Sequence, residues 1–202
     1  MRYLKLPRDY YQSLDVVKLS QGLLGKFIVT EQNGLRTAGM IVETEAYRGA
    51  EDRASHAYNN RRTQRTETMF AQGGVAYVYL CYGMHHLFNV VTGPKDCPHA
   101  VLVRAIEPIE GIAFMLERRG MQQLHPRLTA GPGSLSKALG ITTALNGSLL
   151  TSKSVWIEDR DIQLSKKDIL TSPRVGIDYA KEHRDLPWRF RLKNCVWTSK
   201  AK

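Results

Sequence analysis

Asn33-Gly34 is the feature that most constrains how this chain can fold. It splits "GKFIVTEQNGLRTAGMIVETEAY" into two β-rich runs, and Asn-Gly accepts the positive φ angles of a tight hairpin turn. The chain is thereby committed to antiparallel pairing near its start. "GVAYVYLCYGMHHLFNVVTG" reads as a second hairpin with Tyr82-Gly83 as a two-residue turn, and "AVLVRAIEP" as a buried strand. Helical spacing runs through residues 13–24 after a cap at Ser13, and residues 109–119 read as another helix. "AGPGSLSKALGI" looks like a Gly/Pro turn opening a helix whose first amides suit a phosphate. Residues 153–164 return to β character, and "PRVGIDYAKEHRDLPWRFRL" ends in a Trp-, Arg- and Phe-rich strand. Residues 48–74 are polar, basic and weakly periodic, which predicts a long functional loop with short helical pieces. No repeat or linker divides the 202 residues, so the reading is one α+β domain.

Several function classes are excluded at once. No apolar run is long enough to cross a bilayer, and "MRYLKLPRDYY" lacks the apolar core of a signal peptide, which predicts a cytoplasmic protein with no membrane partner. Cys81, Cys97 and Cys195 are widely separated, which argues against a disulfide framework or a zinc knuckle. Lys and Arg number 29 against 19 acids, a net charge of +10. That excess fits a polyanion partner as well as it fits a merely basic, soluble surface.

Three stretches can carry chemistry. In an extended "IVETEAY", Ile41, Glu43, Glu45 and Tyr47 share one face while Val42, Thr44 and Ala46 share the other. Taken alone, the strand is most simply a solvent-facing edge with ordinary acids. In a basic protein, however, carboxylates repel a polyanion unless they activate water or hold a divalent metal. His56 lies just ahead of Arg61, Arg62 and Arg65, which suit either a phosphate backbone or a solvated loop. In "YVYLCYGMHH", Tyr77 and Tyr79 are explained by core packing for at least one of them, but Tyr82 at the tip has little core to reach. Aromatic wedges of this kind fill the gap left when a base is pulled from the stack.

Five ordered blocks, "IVETEAYRGAEDRASHA", "YVYLCYGMHHLFNVV", "VLVRAIEPIEG", "AGPGSLSKALGI" and "SPRVGIDYAKEHRDLPWRF", closely resemble the signature blocks of the 3-methyladenine (alkyladenine) DNA glycosylase family. "LLGKFIV" near the start also fits, so the resemblance spans nearly the whole chain. It implies a single glycosylase domain over 1–202, with a curved antiparallel sheet, flanking helices and a protruding hairpin that enters DNA. The implied partner is double-stranded DNA carrying alkylated or deaminated purines, handled by a monomer without cofactor or metal. The implied location is the bacterial cytoplasm and nucleoid, or the nucleus in a eukaryote.

Residue by residue, Glu45 matches the general base that activates water, and Arg104 and the backbone of Val175 match groups that hold that water. Tyr47 and His56 on one side, and Tyr79 on the other, match the aromatic walls around the flipped base. His56 also matches a hydrogen-bond partner of the base edge, and Asn89 the residue that crowds the amine of guanine. Tyr82 matches the intercalating tyrosine with Met84 and His85 beside it, and Arg61 and Thr63 match flanking DNA contacts. The chain departs from the pattern at Ser134, where relatives carry a basic residue; Lys137 stands one turn later. A Tyr82-Gly83 turn also puts Tyr79 and Asn89 on opposite faces, which conflicts with a shared pocket unless a bulge intervenes or the turn lies elsewhere. The rival readings are a metal-dependent nuclease using Glu43 and Glu45 with an acid such as Asp52, and a non-catalytic nucleic-acid-binding protein.

Overall fold

The computed structural model describes residues 3–200; the ends of the expected 1–202 domain, Met1-Arg2 and Ala201-Lys202, lie outside them. In chain order the strands are β1 (Leu4–Lys5), β2 (Phe27–Gln32), β3 (Leu35–Tyr47), β4 (Val75–Cys81), β5 (His85–Thr92), β6 (His99–Glu110), β7 (Val155–Asp159), β8 (Ile169–Ser172) and β9 (Arg189–Leu192). The helices are α1 (Val16–Gly22), α2 (Ile112–Arg119) and α3 (Pro132–Leu139). The Asn-Gly hairpin forms as expected: Gln32 faces Leu35, and Asn33 and Gly34 adopt φ of 52° and 74°.

Strand β3 organises everything else. Of its 13 residues, the stretch from Ala38 to Tyr47 pairs with β6 along one edge, while β2 takes Leu35 to Met40 and β9 takes Glu43 to Glu45 on the other. The solvent-facing edge strand is therefore corrected, because β3 is flanked on both sides and Glu43 and Glu45 are fully buried. The sheet runs β1-β7-β2-β3-β6-β5-β4 with β9 and β8 branching from β3, and it curls into an antiparallel half-barrel within one α+β domain. Register shifts between β3 and β6 fall at Ala38/Gly39, Ile41/Glu43 and Glu43/Thr44. Bulges of this kind increase local twist and bend the strand. They also correct one face assignment, since Ile41 joins the main core with Ala46 rather than the face of Glu43 and Glu45.

Period-two alternation separates a packed face from a cavity-lining one. Ala76, Val78, Phe88, Val90, Val101 and Val103 join the main core, which Leu19 of α1, Met115 of α2 and Leu135 of α3 complete. The intervening residues Tyr77, Tyr79, Asn89, Ala100, Leu102 and Arg104 line a cavity on the other face. Element ends differ from the sequence reading for identifiable reasons. Helix α1 is capped by Asp15, which accepts from the Lys18 amide at 2.9 Å, rather than by Ser13. Helix α2 begins after Gly111, whose φ of 68° breaks the chain, so Ile109 and Glu110 belong to β6 instead. The segment 48–74 is loop with short 3-10 turns at Gly49–Glu51, Tyr58–Asn60 and Glu67–Phe70. The four-residue β8 has no counterpart in the sequence reading; it is too short to show alternation.

Candidate active site

Cys81 pairs with His85, so the β4–β5 loop is Tyr82-Gly83-Met84, three residues rather than two. That one-residue difference inverts the relation between the strands. Tyr77 lies opposite Asn89 and Tyr79 opposite Leu87, so Tyr77, Tyr79 and Asn89 share a face without any bulge in this ladder. Asn89 is locked there, donating to the Tyr77 and Leu87 carbonyls at 3.2 and 3.4 Å. Tyr77 is core, 2% exposed among Met69, Phe70 and Val91. Its hydroxyl lies 3.0 Å from His56 Nδ1, and the His56 ring meets Tyr79 in a T-shaped contact at 4.7 Å.

These residues line a cavity of about 330 Å³, shared with Tyr47, Arg65, Arg104, Val175 and Tyr179. That size and mixed lining suit a small planar ligand. Glu45 lies buried behind the wall, and the residues that line the cavity hold it. The Val175 amide donates to Oε1 at 2.8 Å, Arg104 Nη1 approaches the same oxygen at 3.3 Å, and the Tyr47 hydroxyl donates to Oε2 at 2.8 Å. Three donors thus converge on one acceptor carboxylate, as charge-assisted bonds favour. Burial, then the Glu45 charge, pushes the Tyr47 phenol well above its ordinary range, so it remains a donor. Burial, helped by Arg65 and Arg61, lowers His56 to about 4 and keeps its ring neutral near pH 7.

The other two acids are differently committed. Glu43 accepts from Arg104 Nε at 3.1 Å, Arg189 Nε at 2.7 Å and the Ser199 amide at 2.6 Å. Asp52 pairs with the buried Arg174, whose guanidinium lies over the Tyr47 and Trp188 rings. Arginines engage both acids, and among the described residues no group of three His, Cys, Asp or Glu is placed to hold a metal ion. The sequence reading missed Arg174 and Arg189, whose partners lie more than a hundred residues away.

Around the cavity, Tyr82 stands at the hairpin tip, 88% exposed with φ of 50°, beside the exposed Met84. Met84 and His85 line a groove with Arg118, Arg119 and Lys137, while Ser134 stays on the first turn of α3. A second groove gathers Arg53, Arg61, Thr63, Arg65 and Tyr179. Arg62 leaves the expected basic cluster, because Glu67 and Asp96 pair with it at 2.6 and 2.8 Å.

The model of the family described as methylpurine-DNA glycosylase (MPG) matches residues 9–196. The chain belongs to the methylpurine-DNA glycosylase family. A relative from Chlamydia abortus is 51% identical over 188 residues, covering 93% of this chain and 97% of its own. One from Bacillus cytotoxicus is 43% identical over 205 residues, covering 98% of this chain and all of its own. Both carry the name "Putative 3-methyladenine DNA glycosylase". Among the described residues of this methylpurine-DNA glycosylase family member, no helix is long and apolar enough to cross a membrane.

Proposed function

We propose that the chain is a base-excision DNA glycosylase, one domain over 1–202, that flips an alkylated or deaminated purine into the Tyr47–His56–Tyr79 cavity and hydrolyses its N-glycosidic bond. The observation that carries this reading is Glu45, buried with three donors that themselves line the cavity. Glu45 takes a proton from water as the water oxygen bonds to C1′ of the sugar. The bond from C1′ to the base nitrogen breaks, its electron pair leaves with the base, and an abasic site remains. Alkylation at N3 or N7 makes the purine cationic, so that pair neutralises the leaving group without prior protonation. The carboxylate also faces an oxocarbenium-like sugar and stabilises its charge. Arg104 and Val175 fix the orientation of Glu45 and border the space where water is held.

Selectivity follows from the walls. Electron-rich aromatic faces attract a cationic purine, by about 0.5–2 kcal/mol per good contact. The clamped Asn89 crowds the exocyclic amine of guanine and excludes the normal base. Substrates are 3-methyladenine and 7-methylguanine, with hypoxanthine and ethenoadenine needing added leaving-group help. The enzyme acts as a cytoplasmic monomer on duplex DNA, using water and no cofactor.

The test is Glu45→Gln assayed beside wild type on alkylated duplex DNA in chelator. Release of free base is expected to fall by at least about 100-fold, while binding to abasic-site DNA persists. Undiminished base release from the variant would overturn the role of Glu45.

A further inference from the structure

Arg65 is an exposed residue of the loop between β3 and β4, yet it borders both the aromatic cavity and the basic groove of Arg53, Arg61 and Thr63. Its guanidinium carbon lies 5.1 Å from the centroid of the Tyr79 ring, the position of a cation–π contact. Its positive charge also acts on the Tyr77 phenol, against the burial that pushes that group up to about 12. Its neighbours in sequence and space are satisfied differently: Arg62 pairs with Glu67 and Asp96, and Arg53 pairs with Glu182. Among the described residues Arg65 has no carboxylate partner. An unneutralised guanidinium therefore rests on an aromatic wall of a cavity read as a purine site.

We propose that Arg65 occupies the stacking face of Tyr79 in the DNA-free enzyme, and that it swings into the adjacent groove onto a backbone phosphate when the flipped base arrives. This rests on the base-excision reading and makes Arg65 a specificity-determining residue for it. One ring face offers its negative quadrupole to one planar cation at a time, and two positive groups at that face repel each other. The base therefore enters only as the guanidinium leaves. A phosphate in the groove favours departure, because it supplies the counter-anion that the loop's acids give to Arg62 and Arg174 but not to Arg65. Phosphate binding and vacancy of the base site are thus linked, and each promotes the other. A free base without a backbone competes with Arg65 unaided.

The test uses Arg65→Met, which keeps length and apolar contact while deleting the charge, with Arg65→Lys as a charge-retaining control. Calorimetric titration with free 3-methyladenine is expected to show about two- to fivefold tighter binding to Arg65→Met than to wild type, the equivalent of one exposed cation–π contact. The salt dependence of binding to lesion-containing duplex is expected to lose about one unit of slope in Arg65→Met and little in Arg65→Lys. Free-base binding that is unchanged, weaker or undetectable in both proteins overturns the occupancy, and an unchanged slope overturns the swing to phosphate. Base release by the wild type separates this from the parent reading. A wild type that releases no alkylated base refutes the glycosylase itself, whereas active wild type with unaltered Arg65→Met binding refutes only Arg65.

Discussion

His56 shows how much chemistry a loop residue acquires from its surroundings. Its Nδ1 is engaged by the Tyr77 hydroxyl at 3.0 Å, and in the proposed function Nε2 is the nitrogen left for the edge of a bound base. Burial first, and then the charges of Arg65 and Arg61, bring its pKa from the ordinary 6.5 to about 4. The unfolded chain thus takes up this proton before the folded one does. Stability is lost as pH falls from about 6.5 towards 4, and the loss levels off below that, at up to about 3 kcal/mol. Urea midpoints measured across this window are expected to decline in the wild type and to decline less in His56→Gln. Equal slopes in the two proteins would show that His56 stays solvated and ionises normally.

At the scale of elements, the β4–β5 hairpin holds an exposed aromatic away from the core. Its core-facing residues anchor it, and α3 packs flush against it: a Cβ on Gly133 would stand 2.9 Å from His85. The tip then projects Tyr82 in a left-handed conformation, which costs a non-glycine residue about 1–2 kcal/mol. Such strain at an exposed aromatic makes sense if its ring works inside a base stack rather than in water. Replacement by serine at this 88%-exposed position is expected to leave the melting temperature within about 2 °C while weakening capture of lesion DNA at least tenfold. Full lesion capture by Tyr82→Ser would remove the wedge from the mechanism. The tyrosine pattern was legible in the sequence as an alternating strand with an exposed aromatic at its end. The loop length was not, because Tyr82-Gly83 and Tyr82-Gly83-Met84 are both acceptable as local turns. The pairing of Tyr77 with Asn89, and of Asn89 with Leu102 beyond it, selects the longer loop.

At the scale of the whole molecule, Glu43 is the knot that ties the two ends of the fold together. It lies mid-sheet on β3, yet its partners are Arg104 from β6, Arg189 from β9 and Ser199 near the C-terminus. Two adjacent acids on one strand thus divide their roles: Glu45 is read as chemical and Glu43 as structural. Removing the charge from Glu43 takes away the counterion that two buried guanidiniums share, although Arg104 keeps Glu45 at 3.3 Å. Glu43→Gln is expected to destabilise by about 3–5 kcal/mol, seen as a lower urea midpoint. Loss of base release in proportion to the unfolded fraction is expected to accompany it, and a stable variant with no base release would instead place Glu43 in the chemistry.

The sequence by itself determined the antiparallel start at Asn33-Gly34, the α+β element order, the alternation that lines up Tyr77 with Tyr79 and Glu43 with Glu45, and the five blocks that carry the family resemblance. These rest on spacing, turn chemistry and order along the chain, readable without knowing which distant segments meet. Only the tertiary structure decided that β3 is central, that Glu43 belongs to Arg104 and Arg189 while Glu45 belongs to Tyr47 and Val175, that Arg62 is neutralised, and that Arg65 rests on Tyr79. Each of those outcomes depends on which distant segment arrives beside a residue. For Glu43 and Glu45, burial then assigns each carboxylate its partners, because in low dielectric an unpaired charge is too costly to leave alone; Arg62 and Arg65 stay exposed, where one can be paired and the other not.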